Sequence, residues 1–400
     1  MTAGKIELFA TGKQDILLTT KPEVSFFRQV VRRHTRFTIE PIKQHFKESV
    51  NFGKKISCKI SNSGDLIGNT YLYFKLPPLS IAAGSTYTGW TNSLGYSIIE
   101  YIELEINGIV IDKLYDISME VWDELSTPQE KRNGRNLMIG KFESVTQTRT
   151  NAQGENEYYV PIDFWFTRSP GNFLPMISLY NSTVNINVKL KPFSHCLTYD
   201  GDTEPAQVDI LDSYLIVDYI YLEEEERKKF AKNDHIYYID QIQFSKKESI
   251  KASSTFYKSD LGIFNHPVKE LAWVFVEKNS EDNNDFFNFA RRSDTAPLMK
   301  KATIKFENQD RTEMQSESYY RLVQNYRHTN VPSKYIYTYS FALSPDKDQP
   351  TGTNNFSMHD NVSISFEMNT SNPEVNFYIF ARNYNILVIS KGIVGVAYLS

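Results

Sequence analysis

The sequence predicts an all-β protein built from two tandem copies of one domain, and three observations carry that prediction. Aromatic residues are plentiful, with 26 Phe and 25 Tyr, and they recur with Val and Thr in period-2 runs that suit a pleated, half-buried surface. A length of 400 residues leaves room for two domains, each with its own core. The pattern also repeats. Val160, Ile162, Phe164 and Phe166 alternate ahead of Ser169-Pro170; Tyr335, Tyr337, Tyr339 and Phe341 alternate ahead of Ser344-Pro345, at a constant offset of 175. Val184, Ile186, Val188 and Leu190 answer Val362, Ile364, Phe366 and Met368 at an offset of 178. Leu104, Ile106, Leu114 and Trp122 answer Ile304, Phe306, Met314 and Leu322 at 200. Three echoes in one order point to duplication. Such a chain is expected to assemble rather than to catalyse.

Residues 1–20 read as an extended arm. Thr20-Lys21-Pro22-Glu23 matches a capping box, and Val24, Phe27, Val30 and Val31 recur at helical spacing, predicting a short helix to about His34. Arg28, Arg32, Arg33 and Arg36 form the densest positive patch. It reads as a solvated or inter-subunit face, or as a contact for an anionic partner. From residue 36 the pattern is strand and turn. Ile56–Ile60, Tyr71–Leu76 and Ile98–Ile106 are strand-like, and Asn107-Gly108 marks a hairpin. Leu114, Ile117, Val121, Trp122 and Leu125 share one helical face, echoed by Met314, Ser318, Tyr319 and Leu322. The offset drops from 200 to 175 after this helix, so the first copy holds about 25 extra residues, placed within Ser126–Tyr158 as a polar surface loop. Charge-dense Glu223–Lys232 reads as a helical connector. The layout is therefore an arm and short helix at 1–35, a first copy at 36–222, a connector at 223–234 and a second copy at 235–400.

A net charge of −4 gives no basic field, which argues against direct nucleic-acid packaging. Cys58 and Cys196 make no metal spacing and read as half-buried thiols of a reducing compartment. The amino terminus lacks the apolar core of a signal peptide, and no apolar run reaches the ~18 residues of a membrane span. The sequons at Asn181, Asn355, Asn361 and Asn369 are then chance triplets of Ser/Thr/Asn-rich segments. Phosphate-loop, nucleophile-elbow and zinc-helix motifs are missing. Ser344-Pro345-Asp346-Lys347 sits in a proline-bounded loop, and the acidic run Glu281–Asp285 lacks the spacing of a calcium loop. No catalytic, cofactor-binding or metal residue is assigned.

Several stretches resemble the major capsid proteins of nucleocytoplasmic large DNA viruses. They are Gly12-Lys13-Gln14-Asp15 to Thr20 with Phe26-Phe27-Arg28 and Arg32-Arg33-His34-Thr35; Trp122-Asp123-Glu124-Leu125 with Lys131-Arg132 and Met138-Ile139-Gly140; and Glu225-Glu226-Arg227 with Phe230-Ala231. The strongest set is carboxy-terminal: Tyr339–Leu343, Gln349-Pro350-Thr351-Gly352, Asn355-Phe356-Ser357, Asn383-Tyr384-Asn385, then Gly392, Gly395 and Ala397-Tyr398. They span nearly the whole chain in order. The resemblance implies a double jelly roll, two tandem eight-stranded sandwiches with a few short helices. It further implies a homotrimeric, pseudo-hexagonal capsomer that tiles an icosahedral shell beside neighbouring capsomers. The arm and Arg28, Arg32, Arg33 and Arg36 would then face inward, toward minor capsid proteins or an internal membrane. The protein would be a virion component made in the host cytoplasm, with no enzymatic activity and no cofactor. A virion-assembly scaffold of the same fold and a carbohydrate-active β-sandwich are the rival readings.

Overall fold

The computed structural model describes residues 2–81, 83–201, 203–369 and 372–398. Two compact units result, residues 1–36 and residues 37–400. In the first, α1 (Ala3–Phe9) and α2 (Lys13–Thr19) replace the expected extended arm. Asp15 starts α2 by accepting the Gly12 N–H at 2.7 Å. The helix expected after Thr20 does not form. Lys21 precedes a proline, which disfavours the helical region, and it adopts φ 54° instead.

The second unit holds two sandwiches. The first consists of β1 (Phe37–Gln44), β2 (Lys55–Lys59), β3 (Leu66–Leu76), β4 (Ile99–Ile106), β5 (Ile109–Tyr115), β6 (Asn156–Pro161), β7 (Val184–Leu190) and β8 (Asp212–Leu222). The second consists of β9 (His235–Phe244), β10 (Phe256–Asp260), β11 (Pro267–Glu277), β12 (Met299–Phe306), β13 (Gln309–Asp310), β14 (Tyr337–Ser340), β15 (Val362–Met368) and β16 (Val375–Ser390). The sheets of the first run β1-β8-β3-β6 and β2-β7-β4-β5; those of the second run β9-β16-β11-β14 and β10-β15-β12-β13. Each of these eight strands of one copy thus has its counterpart in the other, while short strands such as Thr88–Trp90, Glu248–Ile250 and Ile393–Val396 lie outside the shared set. The architecture is a double jelly roll, and the echoes of the sequence fall on matching strands: β7 with β15, β4 with β12, and β6 with the run into β14. Both hairpins after β4 and β12 turn through two left-handed residues, Asn107-Gly108 (φ 52° and 81°) and Glu307-Asn308 (φ 49° and 63°). That is the twist a two-residue hairpin requires.

Three details depart from expectation. The run Val160–Phe166 leaves the sheet at Pro161 and continues as a 3-10 turn at Trp165–Thr167, although its apolar side chains stay buried. Pro161 has no N–H for further pairing. The insertion is not a loop: after α3 (Asp116–Ser126) it folds as α4 (Gln129–Ile139) and α5 (Val145–Asn151), with Ile139 and Ala152 wholly buried. The echo of α3 is a π-helical turn, Tyr319–Val323, running into α7 (Gln324–His328), and it buries Tyr320, Gln324 and Asn325 rather than Met314 and Leu322. Between the copies, α6 (Glu224–Lys232) lies back on the first sandwich. Arg227 Nε meets Asp65 Oδ1 at 2.9 Å, and Ser178 Oγ donates to the Phe230 carbonyl at 2.8 Å.

One apolar core fills the first sandwich and continues into the junction through Ile239, Ala272, Val274, Val276 and Phe380; a second fills the interior of the second sandwich around Trp273, Phe275 and Phe366.

Candidate assembly surfaces

The seam between the sandwiches is crossed by buried hydrogen bonds and ion pairs. The outer face of β9-β16-β11 lies against β5 and α3. Gln241 Nε2 donates to the Ile111 carbonyl at 2.5 Å, the Ile242 N–H donates to Asp112 Oδ1 at 3.1 Å, and the Tyr115 and Phe244 rings sit 4.9 Å apart. At the centre Asp240 Oδ2 accepts from Lys269 Nζ at 2.6 Å, Arg168 Nη1 at 2.6 Å and Arg382 Nη2 at 3.1 Å. Arg382 also stacks on Trp122, 3.4 Å from the ring centroid. Burial pushes the Asp240 carboxyl up, yet the three cations outweigh it and hold it below its usual range. Burial pulls Lys269 down to about 7.

A second cluster ties α3 to both the insertion and the other sandwich. Lys141 Nζ reaches Glu120 at 2.8 Å and Glu124 at 2.6 Å, and Arg135 pairs with Asp123. From the second sandwich, Lys334 Nζ donates to Glu120 Oε1 at 2.6 Å and the Ser333 N–H donates to Glu124 Oε2 at 2.8 Å. Burial raises the Glu120 carboxyl, but Lys334 and Lys141 outweigh it and bring it down to about 2.

Neither cluster was assigned from sequence. A charge inside a buried strand run is costly unless paired, so Lys269-Glu270 within Val268–Val276 and Arg382 within Phe380–Tyr384 were the available signal. Arg28, Arg32, Arg33 and Arg36 lie on an exposed, non-helical segment, sharing a stretch of chain but no helical face. Cys58 and Cys196 are free and buried, and burial pushes their thiols up to about 11 and about 12. Among the described residues, no group of three or more His, Cys, Asp or Glu is placed to hold a metal ion, and no helix is long and apolar enough to cross a membrane.

Comparison with known proteins places this architecture. The family model for the major capsid protein N-terminus matches residues 25–223, and that for the large eukaryotic DNA virus major capsid protein matches residues 226–395. The major capsid protein of Pyramimonas orientalis virus is 36% identical over 100% of both chains. The chain belongs to the major capsid protein family of large eukaryotic DNA viruses. The major capsid protein of Paramecium bursaria Chlorella virus 1 is 31% identical, again over 100% of both chains. A quasi-atomic structure of the PBCV-1 virus capsid superimposes with a TM-score of 0.82, covering 94% of this chain and 100% of that one at 29% identity. The Faustovirus major capsid protein shares the fold at a TM-score of 0.78, covering 95% and 94% of the two chains at 12% identity. As a capsid protein the chain is a structural component of the virion. Its seam clusters then have a mechanical role: they hold two sandwiches in one orientation, as a shell subunit requires.

Proposed function

We propose that this capsid protein assembles as a homotrimer whose six sandwiches give a nearly hexagonal capsomer, and that neighbouring capsomers tile an icosahedral shell. The observation that supports it is the matching strand order of the two sandwiches within one compact unit. A threefold object made of such chains presents six similar lobes. In this reading 36–222 and 235–400 are the lobes, 223–234 the connector and 1–35 the arm. The arm turns inward, where Arg28, Arg32, Arg33 and Arg36 meet minor capsid proteins or an internal membrane. The protein is made in the host cytoplasm, carries no enzymatic activity and does not contact nucleic acid. Sedimentation velocity tests the central claim. Chains of 46.3 kDa should sediment at micromolar concentration as a three-chain particle. A stable monomer under those conditions rejects it.

A further inference from the structure

Beside the Glu120–Lys334 pair the two sandwiches enclose a groove. Two adjoining cavities of about 410 and about 500 Å³ make it up, and they share Asn92, Asn284 and Asp285. Each falls in the size range of small-ligand sites. The first sandwich supplies one wall, from α5 and from the short strand Thr88–Trp90, which pairs with Leu197–Tyr199. The second supplies the other, from residues 282–292 and 333–335. Hydrogen bonds fix both walls. Asn284 Nδ2 donates to the Ser194 and Leu197 carbonyls at 2.7 and 2.8 Å, tying the loop of the second sandwich across to the first. Asn92 Nδ2 donates to the Phe142 carbonyl at 2.9 Å, and its Oδ1 accepts the Phe142 N–H at 2.8 Å. Asp200 accepts the Thr86 and Tyr87 N–H groups at 2.8 and 3.2 Å, and the Arg149 guanidinium lies 3.4 Å from the Tyr87 ring centroid. A preformed site loses little freedom on binding.

The lining selects the ligand. Tyr87, Phe142 and Tyr199 are half-buried in the wall, and the exposed lining is more polar than apolar. Trp90 is 1% exposed and Ser93 wholly buried, yet the Trp90 indole N–H and the Ser93 hydroxyl have no hydrogen-bond partner among the described residues. Buried polar groups are ordinarily paired. Charge is balanced, with Glu143, Asp282 and Asp285 against Arg149, Arg292 and Lys334. A lining without net charge favours neither a polyanion nor a polycation. Aromatic faces attract C–H groups, and closely spaced amides and hydroxyls both donate and accept. A sugar ring offers C–H faces and hydroxyls together.

We propose that this groove binds a neutral oligosaccharide chain, with Tyr87, Phe142 and Tyr199 against the sugar rings and Trp90 and Ser93 bonded to its hydroxyls. The capsid protein is then a saccharide-binding protein as well as a shell subunit. The site does not depend on the trimer, because both walls come from one chain.

Saturation-transfer NMR and calorimetry on the full chain test this with cellohexaose, mannohexaose and chitohexaose, and with the hexamer of galacturonic acid as the charged comparison. At least one neutral hexamer should bind with a Kd at or below about 1 mM, and the galacturonate about tenfold more weakly. Tyr199→Ser should weaken binding about tenfold and Trp90→Phe, which removes the indole donor, about fivefold, with far-ultraviolet circular dichroism unchanged. Met358→Ser, at an exposed position outside both cavities, should bind as wild type does. Hydrogen exchange should slow at residues 86–92 and 282–292 when the bound hexamer is present, a readout that needs no variant to fold. Failure of every neutral hexamer to bind at up to about 10 mM overturns the proposal, as does tighter binding of the galacturonate. Binding that survives both substitutions, or protection confined to other residues, overturns the site.

Discussion

Glu270 is a poorly compensated buried charge. It is almost wholly buried, neither carboxylate oxygen has a hydrogen-bond partner among the described residues, and Arg382 Nη1 stands 3.7 Å away. Burial outweighs the pull of Arg382 and raises the carboxyl from 4.5 to about 7. The sign follows from linkage: a carboxyl raised in the folded state favours folding while protonated, and that contribution is lost as pH rises from about 4.5 through about 7. Glu270→Gln should therefore leave stability near pH 4 unchanged and raise it at pH 8, by on the order of 2–3 kcal/mol. Denaturant unfolding at the two pH values measures this. Equal stabilities at pH 8 would mean the ionised carboxylate is better paired than its surroundings indicate. Asp240, two strands away, shows the opposite case, since three cations converge on one oxygen and keep it charged.

At the scale of elements, α4 shows how the insertion is held. It ends on Gly140, which sits at φ 69° with its N–H directed to the Asn136 and Leu137 carbonyls. A Cβ there would lie 2.5 Å from Tyr158 Cε1, on the strand that α4 covers. Gly140→Ala should thus destabilise by about 1–3 kcal/mol, from both the left-handed backbone and the collision. Gly134, midway along the same helix, has open space around it and is exposed. Gly134→Ala should stabilise by about 0.5–1 kcal/mol. Thermal melts of the two variants must move in opposite directions, and a shared direction would misplace the helix end. The helix also shields the free side of β6, as α7 shields that of β14, so the sheet edges beside these strands are covered by different devices in the two copies.

Across the whole molecule, the apolar core of the first sandwich runs unbroken into the outer face of the second, through Ile239, Val274 and Phe380. Neither sandwich can unfold without exposing surface on the other. Calorimetry should accordingly show one transition for residues 37–400, with calorimetric and van't Hoff enthalpies in agreement. Two resolved transitions would show that the seam is too weak to couple the lobes. Rigid coupling matters for a shell protein, because a tile whose lobes swing cannot set the angle to its neighbours.

The sequence by itself determined the strands, the hairpin at Asn107-Gly108, the duplication and the family. Those rest on local periodicity, turn chemistry and motif order, which survive whatever the chain packs against. Tertiary structure alone decided that the polar stretch after Ser126 is helical, because Lys141 and Arg135 find their carboxylates on α3. It alone brought Asp240, Arg168, Lys269 and Arg382 together, and it alone exposed Met314 and Leu322 where their echoes are buried. Burial and charge pairing join residues far apart in the chain, so no window of sequence contains both partners.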